Sequence, residues 1–240
     1  MTTLELESTS WQRPDVAFEF VDKRRAAVPY AADQLAVMAR VLGAFAPDAQ
    51  TIVDLGCGDG TVGRAARTLF PKASVIFVDN SEPMLERARA RHDVNAVCVS
   101  ADLRIPLLEM ANWRPDVVVS GYAIHHLSHE RKRALYSEVF NALRPGGMFV
   151  NVEHVASPDD LLEGLFDDEM IACMARIQCR SIDEMALEHH ARPDKADNIL
   201  APVDTQLEWL RDIGFVHVDC YFKYFELAVF GGRKPPAGMN

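Results

Sequence analysis

The sequence predicts an α/β fold: a three-layer sandwich around a seven-stranded, mostly parallel sheet whose last strand is antiparallel. Three observations predict it. From Thr51 onward, short apolar runs alternate with helical stretches. The runs "TIVDLG", "SVIFVDN", "NAVCVSAD", "PDVVVSGYA" and "GMFVNVEHV" are continuously apolar, as strands covered on both faces are. The chain then closes with "VHVDCYFKYFELAVFGGRK", two strands joined by a tight turn, which is an antiparallel ending.

Each element has its own signal. "VAFEFVDKRRAAVPYAADQLAVMARVLGAF" reads as one or two helices interrupted near Pro29, with Leu35, Val37, Met38, Val41 and Leu42 on one stripe. "GTVGRAARTLF" is the next helix, and "SEPMLERARAR" another with Ser81 as N-cap. "SHERKRALYSEVFNAL" starts at a Ser128 cap, turns Leu135, Val139 and Leu143 inward, and is stopped by "RPGG". Pro158–Arg192 is irregularly helical and too long for a plain connection, so it is expected to be an insertion covering the site. "VDTQLEWLRDIGF" is the last helix, with Asp204 as cap and Gly214 as stop. The expected organisation is a helical lid over 1–45, one domain over 46–234 with its insertion at 158–200, and a tail at 235–240.

Composition narrows the function. The 240 residues carry a formal charge of −10, which disfavours a nucleic-acid surface and favours a small-molecule substrate. The basic cluster "HERKR" at His129–Arg133 reads as a solvated helix face. No apolar run is long enough to cross a membrane, and "MTTLELESTSWQRPD" has no secretory pattern. The five cysteines, an odd number at irregular spacing, read as reduced thiols. A cytoplasmic enzyme is expected.

The chemistry concentrates in "TIVDLGCGDGTVGRAA". Gly56, Gly58 and Gly60 bare the backbone directly after a strand, so a ligand can reach main-chain N–H groups. A phosphate-cradling P-loop needs Gly-Lys-Ser/Thr, but Gly60 is followed by Thr61 and Val62. A dinucleotide loop needs a third glycine where Thr61 stands. Asp54 would repel a pyrophosphate but attract a ligand with an ammonium and a sulfonium, and S-adenosylmethionine has both. The competing reading for Asp54 is a cap on the following helix. Asp79 ends the second strand, where an acid accepts from both ribose hydroxyls. Asp102 ends the third, where an acid accepts from the adenine amine beside the backbone of Leu103.

"VDLGCGDGTVG", "FVDNSEPML", "SADLR", "VVVSGYAIHHL" and "LRPGGMF" occur in order and resemble the class I S-adenosylmethionine-dependent methyltransferases. The resemblance runs from Pro29 to Lys234 and implies a Rossmann-like fold, S-adenosylmethionine as cofactor, and methyl transfer to an O or N nucleophile, less often S or C. It implies a cofactor site of Asp54, Gly56, Cys57, Gly58, Gly60, Asp79, Asn80, Met84, Asp102, Leu103 and Ser120. Arg25 and Tyr30 are expected to join the cofactor site from a lid that also holds Phe18, Phe20 and Arg24, with Arg24 or Arg25 meeting the methionine carboxylate; a surface helix with basic residues is the competing reading. Tyr122 follows the fourth strand, where the family faces the transferable methyl; packing competes with a pocket-wall role. His126 and His154 are the candidate bases, since an imidazole can take a proton near neutral pH. For the His125–His126 pair, packing against the next helix competes. No metal site is expected, and the apolar insertion is the expected seam of a homodimer.

More closely, "VDKRRAAVPY", "FVDNSEPMLERA" and "YFKYFELAVFGGRK" resemble a branch that includes the carboxy-S-adenosylmethionine synthases of tRNA wobble-uridine modification. That resemblance implies an arginine in the insertion facing an extra carboxylate on the cofactor, and Arg192 lies near that place. A cofactor-binding protein without activity is the remaining alternative.

Overall fold

A computed structural model describes residues 28–91, 96–107 and 110–238. In chain order the helices are α1 (Ala31–Phe45), α2 (Thr61–Leu69), α3 (Glu82–Ala90), α4 (Met110–Trp113), α5 (His129–Ala142), α6 (Asp160–Gln178), α7 (Ile182–His190) and α8 (Val203–Ile213). The strands are β1 (Thr51–Leu55), β2 (Ser74–Asp79), β3 (Ala96–Ser100), β4 (Val117–Gly121), β5 (Met148–His154), β6 (Val216–Tyr224) and β7 (Leu227–Arg233).

They form one seven-stranded sheet in the order β3-β2-β1-β4-β5-β7-β6. β1 to β5 pair in parallel. β7 is antiparallel to both neighbours, as the closing hairpin requires. The strand order reverses between β1 and β4, and ligand sites of open α/β sheets lie at the strand ends beside such a reversal. The period of two decides which face each residue serves. Val118 packs with α5 and α8 residues such as Leu135 and Leu210. Its neighbours Val117 and Val119 pack on the other face with Met38 and Leu42 of α1. The two edge strands depart from continuous burial: Val97 of β3 and Val216 of β6 are exposed.

Several local expectations shift. Ser128 caps α5 by accepting from the Arg131 N–H, as read. Ser81 stands at the N-cap of α3 but makes no side-chain cap bond. α8 begins one residue before Asp204, with Pro202 at the N-cap, and Gly214 ends it in the left-handed region at φ 113°. α4, in the β3–β4 crossover, had no periodic signal because it is a single turn. The insertion is two helices with a small core of Ile171, Met174, Ala175 and Met185. A full capping box at Ser181 and Glu184 starts the second. The "HERKR" cluster is only partly a solvated face: His129, Glu130 and Arg133 are exposed, but the other two residues turn inward. Lys132 is wholly buried, and Arg131 donates to the carbonyls of Leu103 (2.7 Å) and Ile105 (2.9 Å), pinning the loop after β3.

Two glycines give opposite predictions. A Cβ on Gly231, in β7, would lie 2.0 Å from the Phe149 carbonyl oxygen of β5, whereas one on Gly43, inside α1, meets nothing within 4 Å. Gly231→Ala is expected to destabilise by about 1–3 kcal/mol. Gly43→Ala is expected to stabilise by about 0.5–1 kcal/mol. Thermal melts of the two variants check both signs.

Candidate functional site

The strand ends at the β1/β4 reversal open into a cavity of about 130 Å³. Its floor is the glycine loop. Gly56, Gly58 and Gly60 all hold left-handed φ, at 64°, 54° and 79°. That conformation costs other residues roughly 1–2 kcal/mol each. Gly56 is also forced by contact, since a Cβ there would lie 2.2 Å from Ala123 Cβ. At Gly58 a Cβ would project into open space, so the missing side chain leaves room at the cavity wall.

Asp79 fixes the loop. Its Oδ2 accepts from the Gly58 N–H at 2.8 Å and its Oδ1 from the Ser81 N–H at 2.8 Å. Burial raises its pKa, opposed by those backbone bonds. Asp54 is wholly buried, and its Oδ2 accepts from the Gly63 N–H in the first turn of α2 at 2.7 Å. That is the cap contact, and Asp54 does not line the cavity. Asp102 does line it. Its carboxylate accepts from the Arg104 N–H at 2.8 Å and from Arg104 Nη2 at 2.7 Å. Burial works to raise the Asp102 pKa, and the Arg104 bonds overcome it, so the net shift is downward.

Of the expected cofactor residues, Gly56, Cys57, Gly58, Asp79, Asn80, Met84, Asp102 and Leu103 come together on this cavity, joined by Tyr122 and His126. Gly60 shapes the turn from behind, its N–H donating to the Cys57 carbonyl at 2.8 Å. Ser120 also lies behind the cavity, its hydroxyl donating to the Leu55 carbonyl at 2.7 Å and tying β4 to β1. Burial, then the Asp54 charge, pushes the Cys57 thiol well above its usual pKa, so it serves as a small apolar residue. Tyr30 stands apart from the cavity: its ring packs edge-on against Tyr224 (4.6 Å) and near Phe222 (6.3 Å), and about half of it is exposed. Aromatic packing on β6 outcompetes the cofactor role read for it. Phe18, Phe20, Arg24 and Arg25 lie outside the described residues.

Tyr122 is the wall between this cavity and a second one, of about 300 Å³. It holds φ 54°, its N–H donates to the Val152 carbonyl at 2.8 Å, and its hydroxyl donates to Gln34 Oε1 of α1 at 2.5 Å. A bulky residue in this conformation is strained, and such strain gathers where a site must be held in place.

The second cavity lies under the insertion and is ringed by histidine–carboxylate pairs. His125 Nδ1 lies 2.6 Å from Glu153 Oε1, His154 Nε2 2.6 Å from Glu226 Oε2, and His189 Nε2 2.8 Å from Asp167 Oδ1. His154 is therefore on the second cavity, while His126 is on the first. His126 is held by the Asp197 carbonyl at Nδ1, 3.2 Å away. Burial, reinforced by the neighbouring His125, lowers its pKa to about 3, so the ring is neutral at neutral pH. Glu153, Asp167, His189, Lys195 and Glu226 escaped sequence reasoning. Glu153 carried a signal, a charge inside an otherwise apolar strand. The others come from the insertion and a hairpin turn, where no period places a side chain.

The comparisons agree with this architecture. Residues 52–147 match the family profile described as "Methyltransferase domain". The carboxy-S-adenosyl-L-methionine synthase of Actinobacillus succinogenes is 30% identical over 224 residues, covering 88% of this chain and 88% of that protein. The synthase of Aeromonas salmonicida is 28% identical over 218 residues, covering 86% and 83%. Among solved structures, an O-methyltransferase family protein from Burkholderia thailandensis superposes with a TM-score of 0.66 at 19% identity, covering 92% of this chain and 60% of that one. Human N-acetylserotonin methyltransferase, in complex with S-adenosylmethionine, gives 0.62 at 14% identity, covering 98% and 60%. The chain thus spans about 60% of these two structural neighbours.

The chain belongs to the S-adenosylmethionine-dependent methyltransferase family, with the class I fold. It is an enzyme, and S-adenosylmethionine is its cofactor. No described helix is long and apolar enough to cross a membrane.

The neutral His126 makes a pH prediction. Its pKa is about 3 in the fold against 6.5 for a free imidazole, so the unfolded chain binds the extra proton. Its contribution is complete above pH 6.5 and is lost as pH falls toward 3, with a slope of up to about 1.4 kcal/mol per pH unit. Urea titrations between about pH 7 and about pH 5 are expected to show a smaller acid loss in His126→Asn than in the wild type, by roughly 2 kcal/mol at most.

Proposed function

We propose that this enzyme transfers the methyl group of S-adenosylmethionine to an O or N nucleophile of a small molecule seated in the second cavity. The observation that carries the reading is that cavity itself. It shares the Tyr122 wall with the glycine-loop cavity and places His154, backed by Glu226, on its lining. Its size suits a small acceptor.

The first cavity fits the cofactor's chemistry. The backbone bared at Gly56 and Gly58 receives the methionine end, with Asp54 holding the loop against α2. Asp79 takes the ribose hydroxyls, and Asp102 takes the adenine amine while sharing its oxygens with Arg104. Met84 and Leu103 supply apolar surface for the ring. Bound there, S-adenosylmethionine supplies a methyl group already activated by its positive sulfur. The protein's task is then mainly alignment, which contributes much of the rate in such reactions. His154 faces Glu226 through Nε2, which leaves Nδ1 as the ring atom to accept the proton of an incoming hydroxyl or amine. α6 and α7 cover the acceptor from the solvent side. We read their exposed Leu161, Leu165, Ile182 and Leu187 as a homodimer seam of a cytoplasmic enzyme.

The second reading is a carboxy-S-adenosylmethionine synthase. It is favoured by the names of the relatives and by Arg192, which lies on the second cavity. Mass spectrometry of the small molecule released from freshly purified, denatured protein separates the two. S-adenosylmethionine or its demethylated product is expected; a cofactor heavier by a carboxylate would replace the first reading with the second.

Asp79→Ala removes the acceptor of two loop N–H groups and of the ribose. Calorimetric titration is expected to show at least about tenfold weaker binding of S-adenosylmethionine, equal to about 1.4 kcal/mol. Unchanged affinity would sink the assignment of Asp79. Light scattering is expected to show a dimer, and Leu161→Glu a monomer.

A further inference from the structure

At the wall between the cavities and at the turn before α1, two tyrosines hold a left-handed backbone, Tyr122 at φ 54° and Tyr30 at φ 55°. That conformation is costly for a bulky residue and persists only where the surroundings fix it. One side chain joins the two places. Gln34 of α1 is only 1% exposed, and its main-chain N–H donates to the Tyr30 carbonyl at 2.9 Å. Its side-chain Nε2 donates to the Pro29 carbonyl at 3.0 Å, and its Oε1 accepts from the Tyr122 hydroxyl at 2.5 Å.

These partners allow one arrangement of the amide. A carbonyl oxygen only accepts, so the NH2 group must face Pro29 and the amide oxygen must face Tyr122. The Tyr122 hydroxyl is then the donor, and its single proton is committed to Gln34. Tyr122 therefore serves as a wall and not as an acid toward a ligand. Its backbone is tied separately, by its N–H to the Val152 carbonyl of β5 at 2.8 Å. That bond holds the Cα end of the residue, and Gln34 holds the far end of the ring. Tyr122 lines both cavities between these two anchors. The other end of the amide grips the turn at Val28–Tyr30, and Val28 lines the second cavity. The Tyr30 ring seats the same turn on Tyr224 of β6 at 4.6 Å.

We infer that Gln34, which stands behind both cavities, is a positioning residue for cofactor binding: it fixes the Tyr122 ring against the turn at Val28–Tyr30 and so holds the shared wall in place. This goes beyond the acceptor chemistry proposed above and holds whichever molecule fills the second cavity. Without Gln34 the ring keeps its backbone anchor but is free to swing into the glycine-loop cavity. A merely structural Gln34 would lower the melting temperature and leave cofactor affinity untouched.

The test is calorimetric titration with S-adenosylhomocysteine, with a thermal melt of each variant alongside. Gln34→Met keeps the length of the side chain and removes both of its bonds, and Tyr122→Phe removes one oxygen atom. Each is expected to bind about three- to tenfold more weakly than the wild type. The double variant is expected to bind no more weakly than the weaker single, because both changes break the same bond. Gln34→Glu gives a readout that a structural role would not move. Ionised, it turns a bare oxygen toward the Pro29 carbonyl; protonated, it donates to Pro29 and accepts from Tyr122 as the amide does. Burial raises the pKa of such a carboxyl, so its affinity relative to the wild type is expected to recover by at least about threefold as pH falls from about 8 to about 5.5. Asp79, Asp102 and His126 on the first cavity and His125, His154 and Glu226 on the second are present in both proteins, so the wild-type pH course subtracts them. Wild-type affinity in Tyr122→Phe, additive losses in the double variant, or a Gln34→Glu that follows the wild-type pH course would each overturn the inference. Tyr122→Phe and Gln34→Glu carry the test if Gln34→Met does not fold.

Discussion

The carboxylate of Glu153 is the contact on which both cavities depend. It is wholly buried at the end of β5, where burial raises its pKa. It accepts from the His125 N–H at 3.0 Å, from the His125 ring at 2.6 Å, from the His154 N–H at 2.9 Å and from Asn151 Nδ2 at 3.3 Å. One side chain thereby joins the loop after β4 to the end of β5. A buried charge persists only when it is hydrogen-bonded on every side, so removing any donor disturbs the rest. His125 and His154 reach the second cavity through this node, and His126 reaches the first one residue further on.

A buried cation stands beside it. Lys132 of α5 is wholly buried and donates to the carbonyls of His125, Leu127 and Ile199. Burial lowers its pKa to about 8, and the Glu153 charge pulls the other way. The three carbonyls come from two segments, the loop after β4 and the return from the insertion. The Ile199 N–H adds a bond to the His125 carbonyl at 2.9 Å, and His129 Nε2 meets the Leu200 carbonyl at 3.0 Å. The insertion is therefore stitched at its far end to the loop that carries the histidines. Changes in the insertion and in the strand-end loop are mechanically linked.

The two cavities are built by different rules. The first is made from backbone turns and strand ends, with left-handed glycines and carboxylates that accept main-chain N–H groups. Such a site suits an unvarying cofactor. The second is made from side chains of the insertion, the β6–β7 turn and the strand ends, and its polar atoms are only partly paired. That asymmetry is expected where one ligand brings reactivity and the other specificity, since pockets differ through the loops set on a common scaffold.

The sequence alone determined the sheet, its flanking helices and the glycine loop at the strand ends. Continuous apolar runs, glycines at alternate positions and an acid ending each of two strands act over a few residues, and strand-end placement follows from topology. The capping alternative for Asp54 was legible too, because a carboxylate and the first turn of the next helix are close in sequence. What only the tertiary structure decided was the company each side chain keeps. Tyr30 went to the aromatic face of β6, and Lys132 left an apparently solvated cluster for a wholly buried position. Glu226 met His154 because antiparallel β7 runs beside β5, with His154 opposite Leu227 in the register. His189 met Asp167 because α7 folds back on α6. Those pairs span 72 and 22 residues, and no local period encodes a contact between positions so far apart. The glycine-loop cavity was readable because it is mostly backbone conformation, and the second cavity was not because it is side-chain geometry between distant segments.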